Sequence, residues 1–389
     1  MQREHADLVQ LTAPPALASG AASAGVRGSA GLLSRISLET SRDCNLRCIY
    51  CYARSGRSRT GGLSDADIRH VIREAVALGM QKVFVVGGGE PLLRPSMTSR
   101  GESPIEFANS LGCYCCLYTN AVAVDGRVAQ WLADREVSVV AKLNSLRANV
   151  QDRLAGVPGS AKRIMEGIEA LIAAGLNKSS PSRLGLQTVV CRQNYDEIPR
   201  LWHWMRQRNI IPEVEIPKPQ GRARENKELL SFPDSEAPGK YKDLFEELLR
   251  IDRIYYRYDW IPHPPFAAIS CDLCLTGCYV NEDGGVQLCA GVEHEYGYLR
   301  VGRHGAKGAT LREILQGKEF HRVRDLRQHL TQSCKGCQLL DVCYGCRGVA
   351  WNITGDVFGP DPTCWLRPTE QQRGEAPSAW RKLKTTIGR

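Results

Sequence analysis

Residues 35–51 read RISLETSRDCNLRCIYC: a short apolar stretch from Arg35 to Thr40, then Cys44, Cys48 and Cys51 in a CxxxCxxC run. Three thiolates on one tight loop hold an iron–sulfur cluster by three of its four irons. The fourth iron keeps the open position that catalytic metal sites use to take a substrate or cofactor. Farther along, the strand-like Lys82 to Val86 runs into Gly87-Gly88-Gly89-Glu90-Pro91. Glycines there let backbone approach a ligand with no Cβ in the way, and a glutamate suits an ammonium partner.

Working outward, apolar strand-like segments alternate with helical patterns from Arg35 to Pro217, which predicts βα units on a parallel sheet. The expected strands are 36–40, 82–86, 114–118, 138–143, 184–190 and 212–216. Ser64 with Asp67 gives a capping-box signal, Ile68, Val71, Ile72, Ala75 and Val76 make one apolar stripe, and Gly79 ends the helix. A second stripe, Ile164, Ile168, Leu171 and Ile172, stops at Gly175.

With Tyr50 directly before the third cysteine, this arrangement resembles the radical S-adenosylmethionine (SAM) superfamily. The resemblance implies an α/β fold, a partial (β/α)6 TIM-like barrel with its site at the C-terminal ends of the strands. It further implies a [4Fe-4S] cluster on Cys44, Cys48 and Cys51 whose open iron chelates SAM. Tyr50 would lie near the adenine, Gly88, Gly89 and Glu90 would receive the methionine amino group, and Asn144 would sit near the ribose. Thr119-Asn120 resembles a threonine-asparagine-glycine turn of these barrels, with Ala121 in place of the glycine. Lys142 is open between a site and a strand-end role, Asn194 reads as a turn or cap, and Cys113, Cys115 and Cys116 read as small buried hydrophobes. Arg54, Arg57 and Arg59 read as an exposed loop.

Nine cysteines follow between 271 and 364: Cys271, Cys274, Cys278, Cys289, Cys334, Cys337, Cys343, Cys346 and Cys364. Two CxxC pairs alone would suggest zinc, but nine ligands exceed one zinc and eight fill two four-iron clusters. Their order, with Gly284 between Cys274 and Cys289, resembles the SPASM domain, a small cysteine-rich auxiliary-cluster module, although two residues rather than three precede Cys346. By position, the resemblance gives auxiliary cluster I to Cys271, Cys274, Cys289 and Cys346, and cluster II to Cys334, Cys337, Cys343 and Cys364. Cys271 and Cys278 compete for one slot. The expected organisation is a tail over 1–34, a core barrel over 35–225, a helical connector over 226–266, the SPASM domain over 267–370 and a basic tail over 371–389.

Composition is that of an ordinary globular chain, 43% hydrophobic and 24% charged. No apolar run is long enough for a membrane span and no signal peptide is visible, so 16 cysteines point to metal ligands in a reducing cytoplasm. The formal charge of +9 comes from scattered basic residues without a nucleic-acid motif. It suits an acidic electron donor of the flavodoxin or ferredoxin type.

The resemblance implies reductive cleavage of SAM to a 5′-deoxyadenosyl radical that abstracts a substrate hydrogen, with auxiliary clusters accepting an electron. Many SPASM relatives modify peptides through an N-terminal leader-binding domain, and only a short stretch precedes the first strand here. Sulfatase maturases carry an aspartate where this chain has Ala290. The leading expectation is therefore oxidation or epimerisation of a small polyhydroxylated substrate in specialised (antibiotic) metabolism, with Cys278 the candidate hydrogen donor of an epimerase. The alternatives are a peptide maturase installing a cross-link and, in a different class, a non-enzymatic zinc-binding interaction protein.

Overall fold

A computed structural model describes residues 32–57 and 61–366. The expected tails over 1–34 and 371–389 fall almost wholly outside the described residues, and Arg59 does too. Six parallel strands form as the alternation predicts: β1 (Arg35–Glu39), β2 (Lys82–Val86), β3 (Tyr114–Thr119), β4 (Ser138–Lys142), β5 (Leu184–Val189) and β6 (Ile211–Glu215). Between them lie α1 (Asp65–Val76), α2 (Pro104–Ser110), α3 (Gly126–Asp134), α4 (Ala148–Ala155), α5 (Ser160–Ala173) and α6 (Ile198–Gln207). The Ser64–Asp67 capping box opens α1, whose buried residues are Ile68, Val71, Ile72 and Ala75.

The two faces of the sheet differ. Ile36, Leu38, Val83, Val85, Leu117, Val139, Leu186 and Val214 pack with the apolar stripes of the helices in the main core. Alternate residues, among them Phe84, Cys116, Val140 and Ile211, face inward. This is the period-two alternation of a strand.

One feature departs from a self-contained six-strand barrel. β7 (Gly277–Val280) pairs parallel with β1, matching Ile36 to Cys278 and Leu38 to Val280. β8 (Gly285–Gln287) and β9 (Glu295–Tyr298) continue antiparallel, so one nine-stranded sheet runs β6-β5-β4-β3-β2-β1-β7-β8-β9. Gly284 makes the β7–β8 turn at φ +85°, where a side chain would be strained. The cysteine-rich C-terminus is thus welded to the barrel edge, with its own small core around Cys274, Leu288, Val292 and Tyr344.

The connector is also packed rather than loose. α7 (Ala237–Ile251) ends in a wider helical turn, Asp252–Tyr256. Buried Asp252 accepts from Trp202 Nε1 at 2.7 Å and Trp260 Nε1 at 3.1 Å and pairs with Arg206 at 2.8 Å, which ties α7 to α6.

Candidate active site

The loop carrying Cys44, Cys48 and Cys51 leaves the C-terminal end of β1, and its backbone is clamped from two sides. From α4, Ala155 and Leu154 carbonyls accept from the amides of Arg47 and Ile49, both at 3.0 Å. Gly156, at φ +70°, follows, where a Cβ would lie 2.2 Å from the Arg47 carbonyl oxygen. From the chain after β6, Arg222 donates to the carbonyls of Cys48 (2.8 Å) and Ser55 (2.9 Å), its amide donates to Cys51 (2.9 Å), and Asn226 donates to Ile49 (3.1 Å). These clamping residues escaped the sequence reading, because each acts through backbone that no local pattern connects to the cysteines.

The glycine run approaches the same loop. Gly89 and Glu90 amides donate to Ser41 and Asp43 carbonyls, both at 2.7 Å. A Cβ on Gly88 would fall 2.0 Å from Glu39 Oε1, and one on Gly89 would fall 2.0 Å from the Asp43 carbonyl oxygen. The close approach at these glycines is made to the protein's own loop. Glu90 is buried, accepting from Thr119 Oγ1 (2.7 Å), the Asn120 amide (2.6 Å) and the Leu92 amide (3.1 Å). Burial pushes its carboxyl up to about 7 against those three bonds. Asn120 donates onward to Asn45 Oδ1 at 2.7 Å, beside Cys44 Sγ. Ala121 adopts φ +64° where the resemblance expects glycine.

Tyr50 and Asn144 act in series. The Asn144 side chain is fully buried, donating to Tyr50 Oη at 2.7 Å and accepting from the Val189 amide at 2.9 Å. The Tyr50 hydroxyl lies near Cys48. Asn144 thus positions Tyr50. Asn194 is likewise used locally, accepting from Cys191 and donating to the Asn144 and Val189 carbonyls, which matches its turn reading. Burial pushes the Cys48 thiol up to about 12 and raises that of Cys44. A lone thiolate is disfavoured in this loop.

In the C-terminal module Cys274 lies beside Cys289, Cys271 and Cys346, and Cys343 and Cys364 lie beside Cys334, with Cys337 next to Cys343. Bonding from Cys274, then the Gly291 amide and the Lys218 cation, outweighs burial and draws the Cys289 thiol down. Among the described residues, no three His, Cys, Asp or Glu side chains close on one point as ligands of a single metal ion. Buried Asp361 links the two groups, accepting from the Cys346 amide (2.7 Å) and the Thr363 amide (2.8 Å) just before Cys364.

Cys278 needs correction. Its register with Ile36 turns it to the helix-packed face, fully buried in the main core, with its thiol pushed up to about 12 by burial. It does not face the interior where a hydrogen donor would stand, whereas Cys271 adjoins Cys289 and the Tyr344 hydroxyl. Cys113 and Cys115 are core residues as read, and Cys116 packs inward against Phe84. Arg54 and Arg57 are exposed as expected, Arg54 pairing with Glu225 at 2.7 Å.

Between the two cysteine regions, the inner face carries charges. Lys142 on β4, Gln187 on β5 and Glu213 on β6 stand in one lateral row, with Glu215, Lys218, Tyr118 and Tyr52 close by.

The Radical SAM superfamily pattern matches residues 38–205, and that of the SPASM iron-sulfur cluster-binding domain matches 271–338. The chain is 25% identical over 363 residues to an AdoMet-dependent heme synthase of Methanosarcina barkeri, covering 86% of this chain and 96% of that protein. It is 26% identical over 348 residues to the mycofactocin maturase MftC of Mycolicibacterium smegmatis, covering 85% and 83%. Among solved structures, SuiB of Streptococcus suis bound to S-adenosylmethionine superposes with a TM-score of 0.62 at 16% identity, covering 86% of this chain and 78% of that one. The enzyme anSMEcpe with AdoMet and a peptide gives 0.61 at 16% identity, covering 85% and 93%. These two likenesses establish the fold.

Proposed function

We propose that the chain, which belongs to the radical SAM superfamily and carries a SPASM domain, is a peptide maturase that removes hydrogen from an unactivated C–H bond. The observation that carries this reading is the inner face itself. It runs from Tyr50 at the Cys44–Cys51 loop to Lys218 at Cys289, so a substrate segment there touches both cysteine regions. The likeness to MftC over 85% of the chain supports a peptide. The expected small polyhydroxylated substrate, and with it antibiotic metabolism, finds no support among the relatives. A tetrapyrrole is the second reading, favoured by the match along 96% of a heme synthase.

When bound, the iron–sulfur clusters and SAM supply an electron and a hydrogen-abstracting radical. We assign the SAM-binding cluster to Cys44, Cys48 and Cys51, auxiliary cluster I to Cys271, Cys274, Cys289 and Cys346, and auxiliary cluster II to Cys334, Cys337, Cys343 and Cys364. The protein's part is placement. Asn144 fixes Tyr50 near Cys48, Gly88 and Gly89 leave room for backbone contact, and Glu90 braces the Thr119-Asn120 turn behind Cys44. Among the described residues no helix is long and apolar enough to cross a membrane, and a flavodoxin- or ferredoxin-type donor in the cytoplasm completes the proposal.

The test is anaerobic incubation with dithionite, SAM and a deuterated precursor peptide, followed by mass spectrometry. Deuterium in 5′-deoxyadenosine is expected. Transfer from a deuterated coproporphyrin and from no peptide would move the assignment to the second reading, and zinc in place of iron and sulfide would remove both.

A further inference from the structure

We infer that Lys142 and Lys218 form an anion site on the inner face of the sheet that holds a carboxylate of the substrate between the two cysteine regions. This rests on the inner face being the substrate site, and it adds what chemical group is bound there.

The two lysines approach one carboxylate from opposite sides. Lys142 Nζ lies 3.7 Å from Glu215 Oε1, and Lys218 Nζ lies 2.5 Å from Glu215 Oε2. Lys142 also donates to Gln187 Oε1 at 3.0 Å and sits over the Tyr50 ring at 5.2 Å, while Lys218 sits over Phe266 at 5.5 Å. Two ammonium groups therefore share one committed carboxylate, which gathers positive charge at one point of the inner face. Both side chains keep accessible surface, 17% for Lys142 and 24% for Lys218, although they lie on the inner face.

Other charged groups stand around this space, among them the Cys289 and Cys346 sulfurs near Lys218 and the Cys48 sulfur near Lys142. Glu39 is held by Arg42 at 2.7 Å and Tyr279 at 2.5 Å, and Glu282 shares Arg42 at 3.7 Å. Glu213 accepts from Gln187 Nε2 at 3.0 Å and Tyr118 Oη at 3.1 Å, in register with Lys142 across β5. Burial, then repulsion from Glu215, raises its carboxyl to about 7, against the pull of Lys142 and the two hydrogen bonds. Below that pH Glu213 is neutral and the lysine pair carries an excess positive charge. Above it Glu213 is ionised and competes with an incoming anion. Anion binding should thus weaken as pH rises through about 7.

A carboxylate could also come from the methionine portion of SAM, so the experiment separates the two sources. Benzoate and benzamide are titrated calorimetrically into the full, cluster-reconstituted chain saturated with SAM, at pH 6 and pH 8. Benzoate should bind at least about tenfold more tightly than benzamide, and more tightly at pH 6 than at pH 8. Lys142→Met and Lys218→Met should each weaken benzoate about tenfold while SAM affinity stays within about threefold. Glu213→Gln should tighten benzoate at pH 8, a gain that misfolding cannot imitate. Equal binding of benzoate and benzamide, or lysine variants that weaken SAM and leave benzoate untouched, would overturn the inference. Failure of SAM to bind the unmodified chain would strike the radical SAM reading instead.

Discussion

The Cys44–Cys51 loop and the C-terminal cysteines, the two proposed ligand sets, come from opposite kinds of sequence. The first group is local, three residues on one loop whose mutual distance is set by a few dihedral angles. The second is spread from Cys271 to Cys364, and Asp361, the β7–β8 turn and pairing of β7 with β1 bring it together. A local ligand set depends on what clamps its loop, whereas a dispersed one depends on the whole surrounding module.

Three changes would sharpen or break this contrast, beginning with the largest. Replacing Cys44, Cys48 and Cys51 together by alanine should cut 5′-deoxyadenosine release by a hundredfold or more, on the order of complete loss for residues acting as a unit. Iron should fall only from about 12 to about 8 per chain, the content of two remaining four-iron clusters. Iron analysis beside a product assay checks this, and loss of all iron would mean that the two regions are not independent. Next, Asp361→Ala leaves the Cys346 and Thr363 amides unpaired and should cost about 1–3 kcal/mol, read by denaturant unfolding. It should deplete C-terminal iron while sparing the Cys44–Cys51 cluster, and uniform depletion would contradict the assigned division. The smallest effect is expected at Ala121, where φ is +64°. Ala121→Gly relieves a left-handed alanine and should stabilise the chain by about 0.5–1 kcal/mol, net of glycine's greater unfolded-state entropy. A thermal shift within the barrel signal and none in iron content would confirm that the turn is strained but bears no ligand.

The same contrast explains what could be read in advance. The six barrel strands fall within about one residue of the expected limits because alternation and caps are local signals. Tyr50, Gly88, Gly89 and Asn144 stood out through the family resemblance, but the residues that clamp the cysteine loop did not, since Arg222 and Asn226 reach it across long sequence separations. Cys278 misled because a cysteine among ligands looks like a ligand, and only its register with Ile36 reveals which way it turns. Glu213 and Glu215 carried a signal that went unused. Two acids at alternate positions of a strand in a parallel sheet, which is normally covered on both faces, mark a face that is not filled with apolar side chains.

Pairing of β7 with β1 also has a consequence for biosynthesis. Arg35 meets Gly277, so β1 leaves the ribosome about 240 residues ahead of the strand that covers it. At roughly 5–20 residues per second the nascent sheet keeps a bare edge for some 10–50 seconds. An uncovered edge of this kind is a template for pairing with other chains. Crowded expression should therefore penalise this protein through its unfinished barrel, and slowing initiation should help yield more than added iron does.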